Sequence, residues 1–124
     1  MKCEIGDIVL VDRFAYPNGA KGSLHNFVIM DINQDEFKLV NLDYLCFIIS
    51  SNTSKSNTEN KRFPYNEPLP ATRESGLRKD GHVKCDALFE TIKEDDILMR
   101  VGTVIPAQYA RFKELYRQSL EVML

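Results

Sequence analysis

Apolar side chains along this 124-residue chain come first in short unbroken runs and only at the end with a helical period. Ile8-Val9-Leu10-Val11, introduced by Gly6-Asp7, is a β-branched run that suits a buried strand, and it predicts strand one over residues 7–12. Residues 14–24 hold Pro17-Asn18-Gly19 and Gly22-Ser23 without any period, which predicts a long connecting loop. The apolar runs at 27–32 and 37–42 are parted by Asn33-Gln34-Asp35-Glu36, a polar break of hairpin length. They predict an antiparallel hairpin, with a fourth strand at 45–49 close behind it.

The pattern then changes. Residues 50–60 read Ser-Ser-Asn-Thr-Ser-Lys-Ser-Asn-Thr-Glu-Asn, with almost nothing apolar to bury, and predict a mobile surface loop. Phe63-Pro64-Tyr65 and the further prolines at 68 and 70 continue an extended path that suits only a sheet edge, because proline cannot donate to a central ladder. Strands are expected at 82–88 and within 96–104, around Gly102. Over residues 106–124, Tyr109, Phe112, Tyr116, Leu120 and Met123 recur at spacings of three and four, which puts them on one face of a helix opened by Pro106. Many short strands followed by one helix predict a mainly β, α+β fold: a small barrel with a docked helix, one domain over residues 1–124.

Composition narrows the function. A chain that is 44% hydrophobic and 27% charged can sustain one core of this size. No apolar run approaches the roughly 20 residues of a membrane helix. The opening Met-Lys-Cys-Glu-Ile-Gly-Asp places acids where a signal peptide needs an apolar stretch, so a cytoplasmic protein away from the membrane is expected. Cys3, Cys46 and Cys85 are odd in number and scattered, which predicts buried reduced thiols and no metal centre. A formal charge of −2 rules out a global positive field. Yet residues 50–85 carry seven basic side chains against four acidic ones, while the rest carry nine against fourteen. That asymmetry is either a local site for an anionic ligand or a solvated basic loop.

Three segments, in their order and spacing, resemble the MazF/PemK/Kid family of toxins from toxin–antitoxin pairs. They are Gly6-Asp7-Ile8-Val9-Leu10-Val11-Asp12, the stretch Gly76-Leu77-Arg78-Lys79-Asp80-Gly81-His82-Val83-Lys84-Cys85-Asp86, and Arg100-Val101-Gly102-Thr103-Val104 with the final helix. The resemblance implies an SH3-like barrel with a C-terminal helix, a homodimer, an antitoxin protein as partner and no cofactor. The implied activity is a metal-independent endoribonuclease that cleaves single-stranded RNA, mRNA in particular, by attack of the ribose 2′-OH. Such chemistry needs a group to take the 2′ proton, a cation to stabilise the phosphorane and an acid for the leaving 5′-oxygen.

Carried over by position, the resemblance implies a site of mixed fidelity. His25-Asn26 stands where most members open the second strand with Arg-Pro. His25 is then an acid or base without arginine's forked charge, or simply a polar strand-start residue. Ser50 is the candidate hydroxyl donor to a phosphate oxygen and Ser51 a substrate-binding neighbour, unless both merely open a polar loop. Lys84-Cys85-Asp86 matches a basic–cysteine–aspartate motif, and strand alternation puts 84 and 86 on one face, with Asp86 as base and Lys84 as phosphorane stabiliser or acid. A surface ion pair is the plain alternative. His82 shares that face by the same count and is a candidate for substrate binding. The loop at 14–24, with Tyr16 and Lys21, would border the RNA groove. The missing Arg-Pro supports a second reading, a catalytically impaired MazF-like or CcdB-like binding protein acting on RNA or on a protein target.

Overall fold

Unbroken apolar runs become strands covered on both sides. A computed structural model describes residues 2–12, 24–33, 43–86 and 90–123. Its strands are β1 (Asp7–Val11), β2 (His25–Asn33), β3 (Asp43–Ser50), β4 (Asn66–Leu69), β5 (Gly81–Lys84), β6 (Glu90–Lys93) and β7 (Ile97–Thr103), followed by helix α1 (Pro106–Met123). All pair antiparallel in the order β4-β5-β3-β2-β1-β7, and β6 adds to β3. Ile8, Val28, Phe47, Ile49 and Val83 form one buried cluster with Phe112 and Leu115 of α1. Val9, Val11, Phe27, Ile29, Tyr44 and Cys46 form the other. Each central strand thus feeds both clusters, which is why its sequence is apolar throughout and does not alternate.

The sheet is curled. The connection from β4 to β5 reaches β7, at the opposite end of the strand order, where the Thr103 N–H donates to the Glu74 carbonyl at 2.8 Å. Two glycines permit this approach. A Cβ at Gly102 would lie 2.2 Å from the Ser75 carbonyl oxygen, and Gly76, at φ +67°, would put one 2.0 Å from that of Val101. The Gly6-Asp7 step fastens the other side, with Val104 N–H donating to the Gly6 carbonyl at 2.9 Å and Arg100 paired at 2.9 Å with the buried Asp7 carboxylate.

Helix α1 begins with half a capping box, in which Ile105 N–H donates to Gln108 Oε1 at 2.9 Å. The Tyr109 hydroxyl donates to the Met30 carbonyl at 2.8 Å, and the Tyr116 ring lies 5.5 Å from that of Phe47. The expected stripe is corrected at its end: Leu115 and Ser119 are buried, whereas Leu120 is 37% exposed. At about 100° per residue, eight steps from Phe112 drift by about 80°, so position 120 turns off the face while position 119 stays near it. The side chain of Met123 lies outside the described residues.

Three other expectations change. The partner of β2 is β3, from Asn26↔Ile49 to Asn33↔Asp43, and the run at 37–42 lies outside the described residues, as does 13–23 of the first loop. Residues 50–60 are tied down by hydrogen bonds. Thr53–Lys55 is a 3₁₀ turn whose N-cap, Asn52, accepts from Ser54 N–H, Asn66 Nδ2 donates to the Lys55 carbonyl at 2.9 Å, and Ser56 is buried. Short polar side chains here satisfy backbone groups. The strand expected at 82–88 ends at Lys84, and β6 follows separately. The proline-bearing β4 is an edge strand, and all three cysteines are buried and unbridged. Among the described residues, no helix is long and apolar enough to cross a membrane.

Candidate nucleic-acid cleft

Several strand ends meet on one side of the barrel. Asn26 pairs with Ile49, so the next rung sets His25, at the start of β2, beside Ser50, at the end of β3. Strand β5 continues the row, with Ser50 opposite His82. These ends and the segment 76–79 enclose a cleft of about 960 Å³. Its polar wall is His25, Asn26, Ser50, Ser51, Arg78, Lys79 and Lys84, and its apolar wall includes Leu10, Leu24, Ile48, Met99 and Val101. No described lining residue is a carboxylate. Three basic side chains in one concavity, on a chain of formal charge −2, make a focused positive potential.

Two of those cations sit on a braced loop. Ser75 is 2% exposed, and its hydroxyl donates to the Pro70 carbonyl at 3.0 Å while accepting from Thr72 N–H at 3.0 Å. Ala71 N–H donates to Asp80 Oδ1 at 2.8 Å, which turns this carboxylate toward the loop's own backbone. Arg78 and Lys79 therefore project from a frame held by hydrogen bonds and by the close packing on β7. Ser50 Oγ accepts from Asn52 N–H at 3.3 Å, leaving its own proton available to a ligand oxygen. Among the described residues, no group of three or more His, Cys, Asp or Glu is placed to hold a metal ion.

Neither a protein-family model nor a curated protein sequence matches the chain. Solved structures do match. An endoribonuclease from a mycobacterial species, in complex with its cognate antitoxin, is 16% identical with a TM-score of 0.65, covering 97% of this chain and 96% of its own. The Mycobacterium tuberculosis toxin MazF-mt6 is 14% identical with a TM-score of 0.63, covering 93% of this chain and 96% of its own. The fold is MazF-like.

On this MazF-like fold the sequence candidates separate. His25, Ser50, Ser51 and Lys84 all line the cleft. Asp86 does not: β5 ends at Lys84, Cys85 N–H turns to the Tyr65 carbonyl at 3.0 Å, and Asp86 lies exposed in that turn. Alternation cannot be carried past the end of a strand, so the shared face of Lys84 and Asp86 is corrected. His82 does not line it either. Its side chain is fully buried between β3 and β4 with the turn at 53–55 against it. Burial pushes its pKa down, with Lys84 and Lys55 adding to the effect and the Asn52 backbone opposing it. A neutral, covered imidazole cannot touch a substrate, which corrects its expected binding role. Arg78 and Lys79 are the cleft residues that residue-by-residue reasoning missed, and the basic excess over 50–85 was their signal.

Proposed function

We propose that this chain is the toxin of a toxin–antitoxin pair, a MazF-type endoribonuclease that cleaves single-stranded mRNA in the cytoplasm without a metal. The observation that carries this reading is a cleft whose described lining residues include three basic side chains, an imidazole and two serine hydroxyls and no carboxylate, on a MazF-like fold. In this mechanism His25 takes the proton of the attacking 2′-OH as the bond from that oxygen to phosphorus forms, and returns it to the leaving 5′-oxygen as the P–O5′ bond breaks, because an imidazole can both take and give one. Lys84 and Arg78 face the charge that builds on the phosphorane oxygens, and Ser50 donates a hydrogen bond to one of them. Lys79 and Ser51 hold flanking phosphate or sugar, and the apolar wall receives the bases. DNA lacks the nucleophile and is inert as a substrate. The protein acts as a homodimer, and an antitoxin silences it, as the complexed neighbour has its cognate antitoxin.

The test is purified protein with single-stranded RNA in EDTA, beside an established MazF. Fragments ending in 2′,3′-cyclic phosphate are expected, with Lys84→Ala and His25→Ala each slowing cleavage about 100-fold or more at unchanged circular dichroism. Intact RNA beside an active control overturns the nuclease. Histidine at the place of Arg-Pro favours the second reading, a binding protein of this fold, which bound but uncut RNA would establish.

A further inference from the structure

The register of β3 shows which carboxyl stands beside the cleft lysine. Opposed residues of an antiparallel pair point to the same face, and alternate residues of a strand do likewise. Ile49 pairs with Val83 and Ser50 with His82, so Ile48 is the next position, facing Lys84. Had β5 run on, residue 86 would face Cys46. The chain instead leaves the edge at residues 85–86, and β6 re-enters with Glu90 paired to Cys46. Along this edge the side chains on the face of Ser50 are therefore His82, Lys84 and Glu90, with Lys84 and Glu90 about 7 Å apart along the strand.

Glu90 is prepared for a charged neighbour. Its Oε2 is buried and has no hydrogen-bond partner among the described residues. Burial raises its carboxyl pKa, and the Lys84 charge pulls it back. From β3 the titratable group against it is the buried Cys46 thiol, which Glu90 helps to push up; from β5 it is Lys84, with neutral His82 one place beyond.

We propose that Glu90, in the place that motif spacing assigns to Asp86, is the carboxyl partner of Lys84 and a positioning residue that governs how strongly the lysine holds a bound phosphodiester. Ionised, Glu90 draws the ammonium back toward the edge of β3. Protonated, it leaves the full charge to the RNA. The consequence for RNA rests on the function proposed above; the pairing itself does not.

Two measurements test it. The first needs no RNA: the Glu90 carboxyl is titrated by NMR in the wild type and in Lys84→Met, a change at an exposed side chain. Its midpoint should rise by about half a unit or more when the ammonium goes, and an unmoved midpoint overturns the pairing. The second measures affinity for a 2′-O-methyl RNA oligonucleotide, which cannot be cut, against pH. Wild-type affinity should increase as the pH falls through the Glu90 midpoint. In a His25→Asn background, which takes the cleft imidazole out of the comparison, Glu90→Gln should bind about two- to fivefold tighter above that midpoint and lose the dependence, whereas Asp86→Asn should keep it. A dependence that survives in Glu90→Gln, or vanishes in Asp86→Asn, overturns the proposal. If the wild type binds no RNA, the nuclease reading fails, and the first measurement still decides the pairing.

Discussion

Gly102→Ala tests the link between barrel closure and the cleft. The new methyl would lie 2.2 Å from the Ser75 carbonyl oxygen and 2.4 Å from that of Glu74, both backbone atoms. Restoring an ordinary contact of 3.4 Å means that the loop must retreat by about 1 Å. Overpacking of this kind costs about 1–3 kcal/mol. The Thr103-to-Glu74 hydrogen bond, at 2.8 Å, weakens with it and adds about 1 kcal/mol. For a chain of this length that amounts to a fall in melting temperature of about 8–15 °C. Arg78 and Lys79 ride on the same loop, so the slope of log affinity for single-stranded RNA against log salt should also shrink, by about 1.4 for two lost phosphate contacts. The assay is thermal melting by circular dichroism together with RNA affinity across a salt series. Gly6→Ala is the control: its methyl would meet nothing nearer than 3.7 Å, leaving only the strain of φ +92°. A Gly102→Ala protein that melts within 2 °C of the wild type (a threshold of about half a kcal/mol) with an unchanged salt slope would refute the reasoning.

Further outcomes follow from the same contacts. Replacing Arg78, Lys79 or Lys84 singly by Ala should lower the RNA salt slope by about 0.7 each, with little change in melting temperature; an unchanged slope removes that residue from the phosphate path. The His82 imidazole, buried with its pKa below the ordinary 6.5, takes its proton more readily in the unfolded chain, so its contribution to stability is complete above about pH 6.5 and is lost as the pH falls. Urea unfolding of His82→Leu should show a flatter acid limb than the wild type. Ser75→Ala removes a buried hydroxyl joined to several loop groups and should cost about 1–3 kcal/mol by urea unfolding. Burial pushes the Cys85 thiol up to about 12 and raises Cys3 and Cys46 as well, so thiol reagents should label the native protein only at its unfolding rate.

What could be read from the chain was what depends on local pattern. The continuous run at 8–11 has only one way to be covered on both sides, and the prolines of β4 exclude a central position. Pro106 and the aromatic spacing after it leave little besides a helix. Strand β6 was hidden, because Glu-Thr-Ile-Lys has a single apolar residue and joins the sheet through its backbone. The polar segment after Ser50 looked unstructured because its order comes from side chain to backbone hydrogen bonds, which hydropathy does not register. Site placement followed the same division. His25, Ser50, Ser51 and Lys84 lie at strand ends or just beyond one, where counting works, and all reach the cleft. Asp86 lies two residues past a strand end, where counting fails, and Arg78 and Lys79 owe their position to a loop packed on β7 through Gly76 and Gly102, a closeness that spacing along the chain does not reveal.

Pairing between β1 and β7 has a consequence for the protein's manufacture. Asp7 lies opposite Thr103, and the cleft takes Met99 and Val101 from the same late strand. A partly synthesised chain still short of β7 can close neither the barrel nor that wall, however well its earlier strands have paired. Under the function proposed above, the molecule cannot act on the message that encodes it until β7 has left the ribosome.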